Sequence, residues 1–310
     1  VKRRQVLGTL AAAAAAAPAI NVRAADTLRV LTSPGDSSAT PFYAADRGIY
    51  KKYGLDVQVD VMANGGVIVP AVVGGAAQIG GTSVSTVAAA HERGVPLVAL
   101  TPTSLYDHNA PTSLLLVAKD SPLRTARDLA GKTIAVNGLN TNSHIASMAW
   151  IDKNGGDAKA SKYVEMVYSE MVPAITEGHV AAGLVIEPTL TVAKKTARVF
   201  ALAYDAIAPH FYLGVNVART DWVNANPDVA KRFVQAMAEA AVWANAHRGE
   251  SLPIVAKYLK LDPATLAGMT RATYTDKMDP GEMQPLIDVS VKYGALPTSF
   301  PAKEIVWFPS

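Results

Sequence analysis

The sequence predicts two α/β lobes built from βαβ units and joined by a two-strand hinge. Three observations carry that expectation: strand and helix patterns alternate along the first two thirds of the chain, part of this pattern returns 103 residues later, and the last third turns to helical periodicity alone. Strands and helices in alternation bury a parallel sheet beneath helices.

Residues 28–31 (LRVL) read as a buried strand that opens into a loop of small residues at 33–40. Thr40-Pro41 supplies an N-cap and a first-turn proline for a helix through Tyr53, closed by Gly54. Residues 57–61 (VQVDV) alternate as a strand does, a second helix runs to about Val73, and 78–81 (QIGG) end a short strand. Then the pattern repeats. Val69-Pro70-Ala71 returns as Val172-Pro173-Ala174, Gly75 as Gly178 and Gly80 as Gly183. In the same register Gly35 falls opposite Gly138, just after the strands at 30–32 and 133–136. A tripeptide and three glycine pairs at one offset point to two similar lobes.

From about Thr220 the pattern is helical. Asn226-Pro227 opens a long helix with Val229, Phe233, Met237, Ala240 and Ala244 on one face, and further helices are expected at 251–259, 263–272 and 282–293. Such helices need a lobe to cover. The chain is expected to cross to the second lobe near 115–119 and return near 213–218, which divides it into 25–115 with 217–310 (lobe one) and 116–216 (lobe two). Two crossings make a hinge able to close around a ligand.

Half of the 310 residues are hydrophobic and 18% are charged, which suits a packed globular chain. The net charge of +3 draws on Lys2, Arg3, Arg4 and Arg23, and the other basic residues are scattered among acids, which argues against nucleic-acid binding. Without cysteine there is no disulfide, no thiolate metal site and no cysteine for a lipid anchor. Residues 1–24 read as an export signal, with a charged start, a weakly apolar stretch at 6–20 and cleavage expected after Ala24. Arg3-Arg4 followed by Gln5, Val6 and Leu7 resembles a twin-arginine signal. The other reading is an Ala-rich helix of the mature protein or a membrane anchor; against an anchor, the stretch is short and holds Pro18. A periplasmic, freely diffusing protein is expected.

Four segments add a resemblance. They are 41–54 (PFYAADRGIYKKYG) with Leu55-Asp56-Val57, 78–83 (QIGGTS), 121–136 (from Ser121-Pro122-Leu123 to DLAGKTIAV), and Glu187-Pro188. Their order and spacing resemble the nitrate, sulfonate and taurine class of periplasmic binding proteins (SsuA/THI5-like), which shades into thiamine-precursor-binding proteins. The resemblance implies a type II periplasmic-binding-protein fold and partnership with the membrane permease and ATPase subunits of an ABC importer. A monomer without cofactor is expected.

In open parallel sheets ligands bind beyond the carboxyl ends of the strands, where helix N-termini point inward. Four loops qualify, at 33–40, 81–85, 137–143 and 186–188. The candidate ligand-binding residues are Ser33, Gly35, Asp36, Thr40, Tyr43, Thr82, Ser83, Asn137, Asn142, Ser143 and Glu187. Hydroxyls and amides at helix starts can cap the helix or hold an anionic oxygen, and both readings stay open for each Ser and Thr. Tyr43 is read as a wall of the cleft or as core. Glu187 between apolar neighbours is either a ligand contact or part of an ion pair. The loops hold no Lys or Arg, while Asp36, Glu187 and the nearby Asp107 suggest a ligand with a cationic or N–H donor group, such as an amino-sulfonate or an aminopyrimidine.

No catalytic or metal-binding residue is expected. The six histidines are isolated, with His144 alone near a candidate loop, and the HExxH, GxSxG, phosphate-loop and GxGxxG patterns are absent. The expected function is capture of a nitrate-, sulfonate- or taurine-like anion or zwitterion, or else of a thiamine-precursor pyrimidine or an aromatic or carboxylate ligand. The rival class is an enzyme on the same fold, a pyrimidine synthase or a dehydratase. The synthases carry a cysteine-rich motif that this chain lacks.

Overall fold

The structure, a computed structural model, describes residues 26–309, so the expected leader and its cleavage point lie outside the described residues. The chain opens with β1 (Asp26–Thr32), a 3-10 turn at Asp36–Ser38, α1 (Thr40–Asp46) and α2 (Ile49–Lys52). The single helix expected from Thr40 to Tyr53 is broken at Gly48, whose φ of 69° lies in the left-handed region. There follow β2 (Leu55–Val61), α3 (Gly65–Val73), β3 (Ile79–Ser83), α4 (Val84–Glu92) and β4 (Leu97–Asp107). The next stretch holds β5 (Ser113–Ala118), β6 (Thr133–Val136), α5 (Asn142–Lys153), β7 (Lys162–Glu165), α6 (Tyr168–Thr176), β8 (Ala182–Ile186), α7 (Thr189–Ala193) and β9 (Ala197–Ala201). The chain closes with β10 (His210–Arg219), α8 (Thr220–Ala225), α9 (Pro227–Ala246), α10 (Arg248–Leu259) and α11 (Gln284–Lys292).

These strands form two five-stranded sheets, ordered β2-β1-β3-β10-β4 and β7-β6-β8-β5-β9. In each, the first three strands are parallel and the last two run antiparallel to their neighbours. The two sheets thus share one plan, and the internal repeat accounts for it. α3 and α6 have nine residues each, β3 and β8 five each, and the offset is 103 in both pairs. The repeated glycines have physical causes. Gly75 and Gly178 end their helices with φ of 77° and 76°. A Cβ on Gly80 would meet Ile68 at 2.5 Å, and one on Gly183 would meet Ile175 at 2.9 Å, so each helix can lie on its strand only if that strand carries no side chain there.

β5 lies wholly in the second sheet and β10 wholly in the first. The chain therefore crosses at 108–112 and 202–209, and the crossings expected at 115–119 and 213–218 fall inside strands. α9 carries the expected apolar stripe: Val229, Phe233, Met237, Ala240 and Ala244 are buried in one core with Leu28, Val30, Tyr43 and Tyr50 of the first lobe. Burying each large side chain of this stripe stabilises the fold by about 1.5–3 kcal/mol. The helix expected at 263–272 is only a 3-10 turn at Pro263–Leu266. Gly268, at φ 79°, ends it, and Thr273 then bridges to Leu105 as extended chain. No described helix is long and apolar enough to cross a membrane.

Candidate functional site

The carboxyl ends of β1, β3, β6 and β8 face one another across the hinge and enclose a cavity of about 80 Å³. Lobe one contributes Ser33, Ser37 and Ser38 after β1, Asn64 and Gly65 at the start of α3, Gly81, Thr82 and Ser83 of β3, Thr86 of α4, and Thr103 of β4. β10 adds Leu213 and Gly214. Lobe two and the crossings contribute Ser113, Asn137, Thr141, Asn142, Ser143, Tyr168, Ile186 and Tyr204. Among the described residues, no Asp, Glu, Lys, Arg or His lines it.

Helices α3, α4 and α5 begin at this cavity, and α6 begins at the lining residue Tyr168. α3 is capped by Asn64, whose side chain accepts from Gly66 N at 2.9 Å, and α4 by Ser83, which accepts from Thr86 N at 3.2 Å. α5 starts at Thr141, whose hydroxyl donates to Gly138 O at 2.7 Å instead of capping the helix. The first-turn amides of α5 therefore lack a cap from that side chain, and the positive ends of these helix dipoles converge on one small volume. Most lining hydroxyls are engaged with protein. Ser33 and Ser38 share a bond of 2.9 Å, Ser83 and Thr86 one of 2.7 Å, and Ser143 donates to Asn137 Oδ1 at 2.7 Å. Thr82 differs. The residue is 6% exposed and its Oγ1 has no hydrogen-bond partner among the described residues. Gly65 makes room for it, since a Cβ there would sit 2.3 Å from Thr82 Oγ1. Burial pushes the phenols of Tyr168 and Tyr204 well above their usual pKa, so both remain O–H donors at neutral pH.

Of the residues expected from sequence, Ser33, Thr82, Ser83, Asn137, Asn142 and Ser143 line the cavity. Asn142 does so with a committed side chain: Oδ1 accepts from Ser85 Oγ at 2.8 Å, and Nδ2 donates to Leu213 O at 2.6 Å. The other five lie outside the lining. Asp36 is fully buried and bonded to Arg271 Nη2 at 3.0 Å, with Ala272 N donating at 2.6 Å. Tyr43 belongs to the same network, its hydroxyl accepting from Arg271 at 2.8 Å. Thr40 is buried beneath the loop at the start of α1. Gly35 packs against lobe two, where a Cβ would meet Ile186 at 2.9 Å.

Glu187, expected to face Thr82 across the cleft, has a fully buried side chain whose Oε2 accepts from Thr191 N at 2.9 Å, with Lys194 3.9 Å from Oε1. Burial raises its pKa, against the opposing pull of Thr191, Lys194 and the Thr270 amide. Asp107 is turned to the Asn109 amide at 2.8 Å and His144 to the Asn140 amide at 3.0 Å. With Asp36, Glu187 and Asp107 all away from the lining, the carboxylate argument for a cationic ligand loses its basis.

The lining also takes in Gly65 and Tyr168, outside the four expected loops, and Ser38, Thr141 and Ile186, which lie within those loops but are not among the candidates. At the same offset of 103, Ser38 pairs with Thr141, Gly65 with Tyr168, and Ser83 with Ile186, and all six line the cavity.

A family model described as NMT1/THI5 like matches residues 36–251, well over half of the chain and spanning both lobes. The chain belongs to the NMT1/THI5-like family. A curated relative from Brucella abortus (strain 2308), named as a candidate binding protein, is 24% identical over 226 residues, which cover 72% of this chain and 68% of the relative. Among solved structures, this NMT1/THI5-like chain is similar to the periplasmic aliphatic sulphonate binding protein SsuA from Escherichia coli, with a TM-score of 0.74 at 18% identity, covering 92% and 93% of the two chains. It is similar to the periplasmic nitrate-binding protein NrtA from Synechocystis PCC 6803, with a TM-score of 0.75 at 16% identity, covering 90% and 84%. At these identities the likeness establishes that the NMT1/THI5-like chain has the two-lobed fold of periplasmic binding proteins.

Proposed function

We propose that this protein is the periplasmic solute-binding component of an ABC importer, which closes its two lobes over a small anion or the anionic end of a zwitterion. One observation carries the reading: a cavity between the lobes, free of formal charge, where helix N-termini and the unpartnered Thr82 hydroxyl converge. Each helix end presents about half a positive charge, and neutral donors of this kind suit a monoanion such as nitrate or an alkanesulfonate. The names of SsuA and NrtA, a sulphonate binder and a nitrate binder, lend support.

The permease and ATPase subunits are the partners that follow from this role, and the leader at 1–24 is what would deliver the protein to the periplasm. The rival reading as an enzyme finds little help in the lining, which offers no carboxylate, imidazole or amine to move a proton near neutral pH. The test is a thermal-shift screen of nitrate, bicarbonate, taurine, methanesulfonate, benzoate and hydroxymethyl-aminopyrimidine, followed by calorimetry on each hit. A solute at 100 times its Kd stabilises by about 2.7 kcal/mol. Stabilisation by the anions without chemical change in them is the expected result. Turnover of a stabilising compound would hand the case to the enzyme reading, and preference for the aminopyrimidine would overturn the anion.

A further inference from the structure

We propose that the side-chain amide of Asn142 is a latch between the lobes, so that this lining residue acts in closure rather than in contact with the solute. Asn142 sits at the first turn of α5 in lobe two, and every partner of its side chain belongs to lobe one. Oδ1 accepts from Ser85 Oγ at 2.8 Å and from Ser85 N at 3.4 Å, in the first turn of α4, while Nδ2 donates to Leu213 O of β10 at 2.6 Å. Two other polar bridges near the cavity are longer, Asn64 Nδ2 to Asn137 O at 3.4 Å and Asp36 N to Glu187 O at 3.3 Å, while the short bond from the Tyr106 hydroxyl to Asp205 Oδ1, 2.7 Å, lies at the second crossing itself.

Burial makes the contact a switch. Asn142 is 5% exposed and Ser85 1%, so with the lobes together the Asn142 amide depends on Ser85 and Leu213, and Ser85 Oγ has besides it only Ser83 Oγ at 3.1 Å, whereas with the lobes apart water satisfies the amide. The latch joins the starts of α4 and α5, the two helices whose N-termini also frame the cavity at Ser83 and Thr141. A solute bridging those termini therefore favours the geometry that makes the latch, and the latch favours the geometry that holds the solute. Such coupling is reciprocal by linkage. Losing one or two hydrogen bonds of this kind lowers the ratio of closed to open molecules by about 5- to 30-fold.

The inference takes from the proposed function only that the lobes part to admit a solute, and its test needs no solute. The sequence holds no cysteine, so cysteines placed at Val61 and Val167, which are exposed on different lobes, give a unique pair of spin labels. Pulsed dipolar spectroscopy then reads the inter-lobe distance directly. The labelled parent should show a dominant short-distance population, and Asn142→Ala should move about 5- to 30-fold of the ratio to longer distances. Ser85→Ala should do the same in part, and the double variant should add little to Asn142→Ala alone.

Should Asn142→Ala fail to fold, Ser85→Ala carries the test, since it removes one hydroxyl and leaves α4 intact. Unchanged distances in the folded variants overturn the latch, even where stability falls, because a purely structural amide would lower stability without opening the cleft. Nitrate and methanesulfonate are then added to the same samples. If Asn142→Ala opens the cleft and neither anion returns it towards the short distance, the anion reading fails and the latch stands.

Discussion

Replacing Thr82 by Val should move affinity and stability in opposite directions. The two side chains have nearly the same shape, so the substitution removes the hydroxyl and little else. In the protein alone, Thr82 Oγ1 is buried with no partner, and a buried polar atom left unsatisfied costs about 1–3 kcal/mol. Thr82→Val relieves that cost, so the solute-free protein should gain up to about 1–2 kcal/mol, or a few degrees in Tm. The solute should lose a hydrogen bond to a charged group, worth about 1.5–3 kcal/mol, which weakens Kd by roughly 10- to 150-fold. Calorimetry with nitrate and methanesulfonate measures the loss of affinity, and urea denaturation the gain in stability. Thr298→Ala, on the exposed C-terminal segment, serves as the neutral control. An unchanged Kd would show that the hydroxyl does not meet the solute. Destabilisation by more than about 2 kcal/mol would show that the protein itself uses it.

Other perturbations separate the site from its supports. Arg271→Met should destabilise by about 3–5 kcal/mol in urea unfolding, because it strands the buried Asp36 carboxylate. Gly65→Ala should abolish solute binding in calorimetry, since the new Cβ lies 2.3 Å from the Thr82 hydroxyl at the position in question. Glu187→Gln should leave solute affinity within about twofold, because the carboxylate is outside the lining and Gln Oε1 can still accept from Thr191 N. The pH dependence of that variant has a definite sign. The folded-state pKa of Glu187 lies above 4.5, so the folded state binds its proton more tightly than the unfolded state does. The parent should gain stability relative to Glu187→Gln as pH falls from that raised value towards 4.5, and lose it again as pH rises; urea midpoints across this range would read the difference.

The two-lobed plan was legible because the repeat is written in residues with strict backbone or packing demands. Gly75 and Gly178 hold a left-handed φ that strains other residues, and Gly80 and Gly183 leave no room for a Cβ beside their helices. The hydroxyl and amide candidates at 82–83, 137 and 142–143 were legible for a related reason: a small polar residue between a strand and a helix has few other uses. Asp36, Tyr43 and Glu187 misled because a charged or aromatic residue beside a predicted cleft looks the same in sequence whatever its partner. The partner of Asp36 is Arg271, 235 residues further on, in a stretch read as helix whose residues beyond Leu266 are not helical. Tyr204 and Leu213 were hidden differently. They reach the cavity from the second crossing and the returning strand, and the expected crossing points lay a strand's width away from the real ones.

The place of β10 bears on the order in which the molecule assembles. Every strand of the second sheet comes from one continuous stretch, 113–201, whereas the first sheet has β10 inserted between β3 and β4. A nascent chain that has just completed β9 holds every strand of its later sheet, in which β5 pairs with β8 and β9, while the earlier sheet stands with a slot between β3 and β4. Filling that slot closes a loop of more than a hundred residues, and the entropic cost of closure is lower once those residues are already compact. The later-made lobe thus has all of its strands before the N-terminal lobe does, and the first sheet is complete only once the ribosome delivers β10.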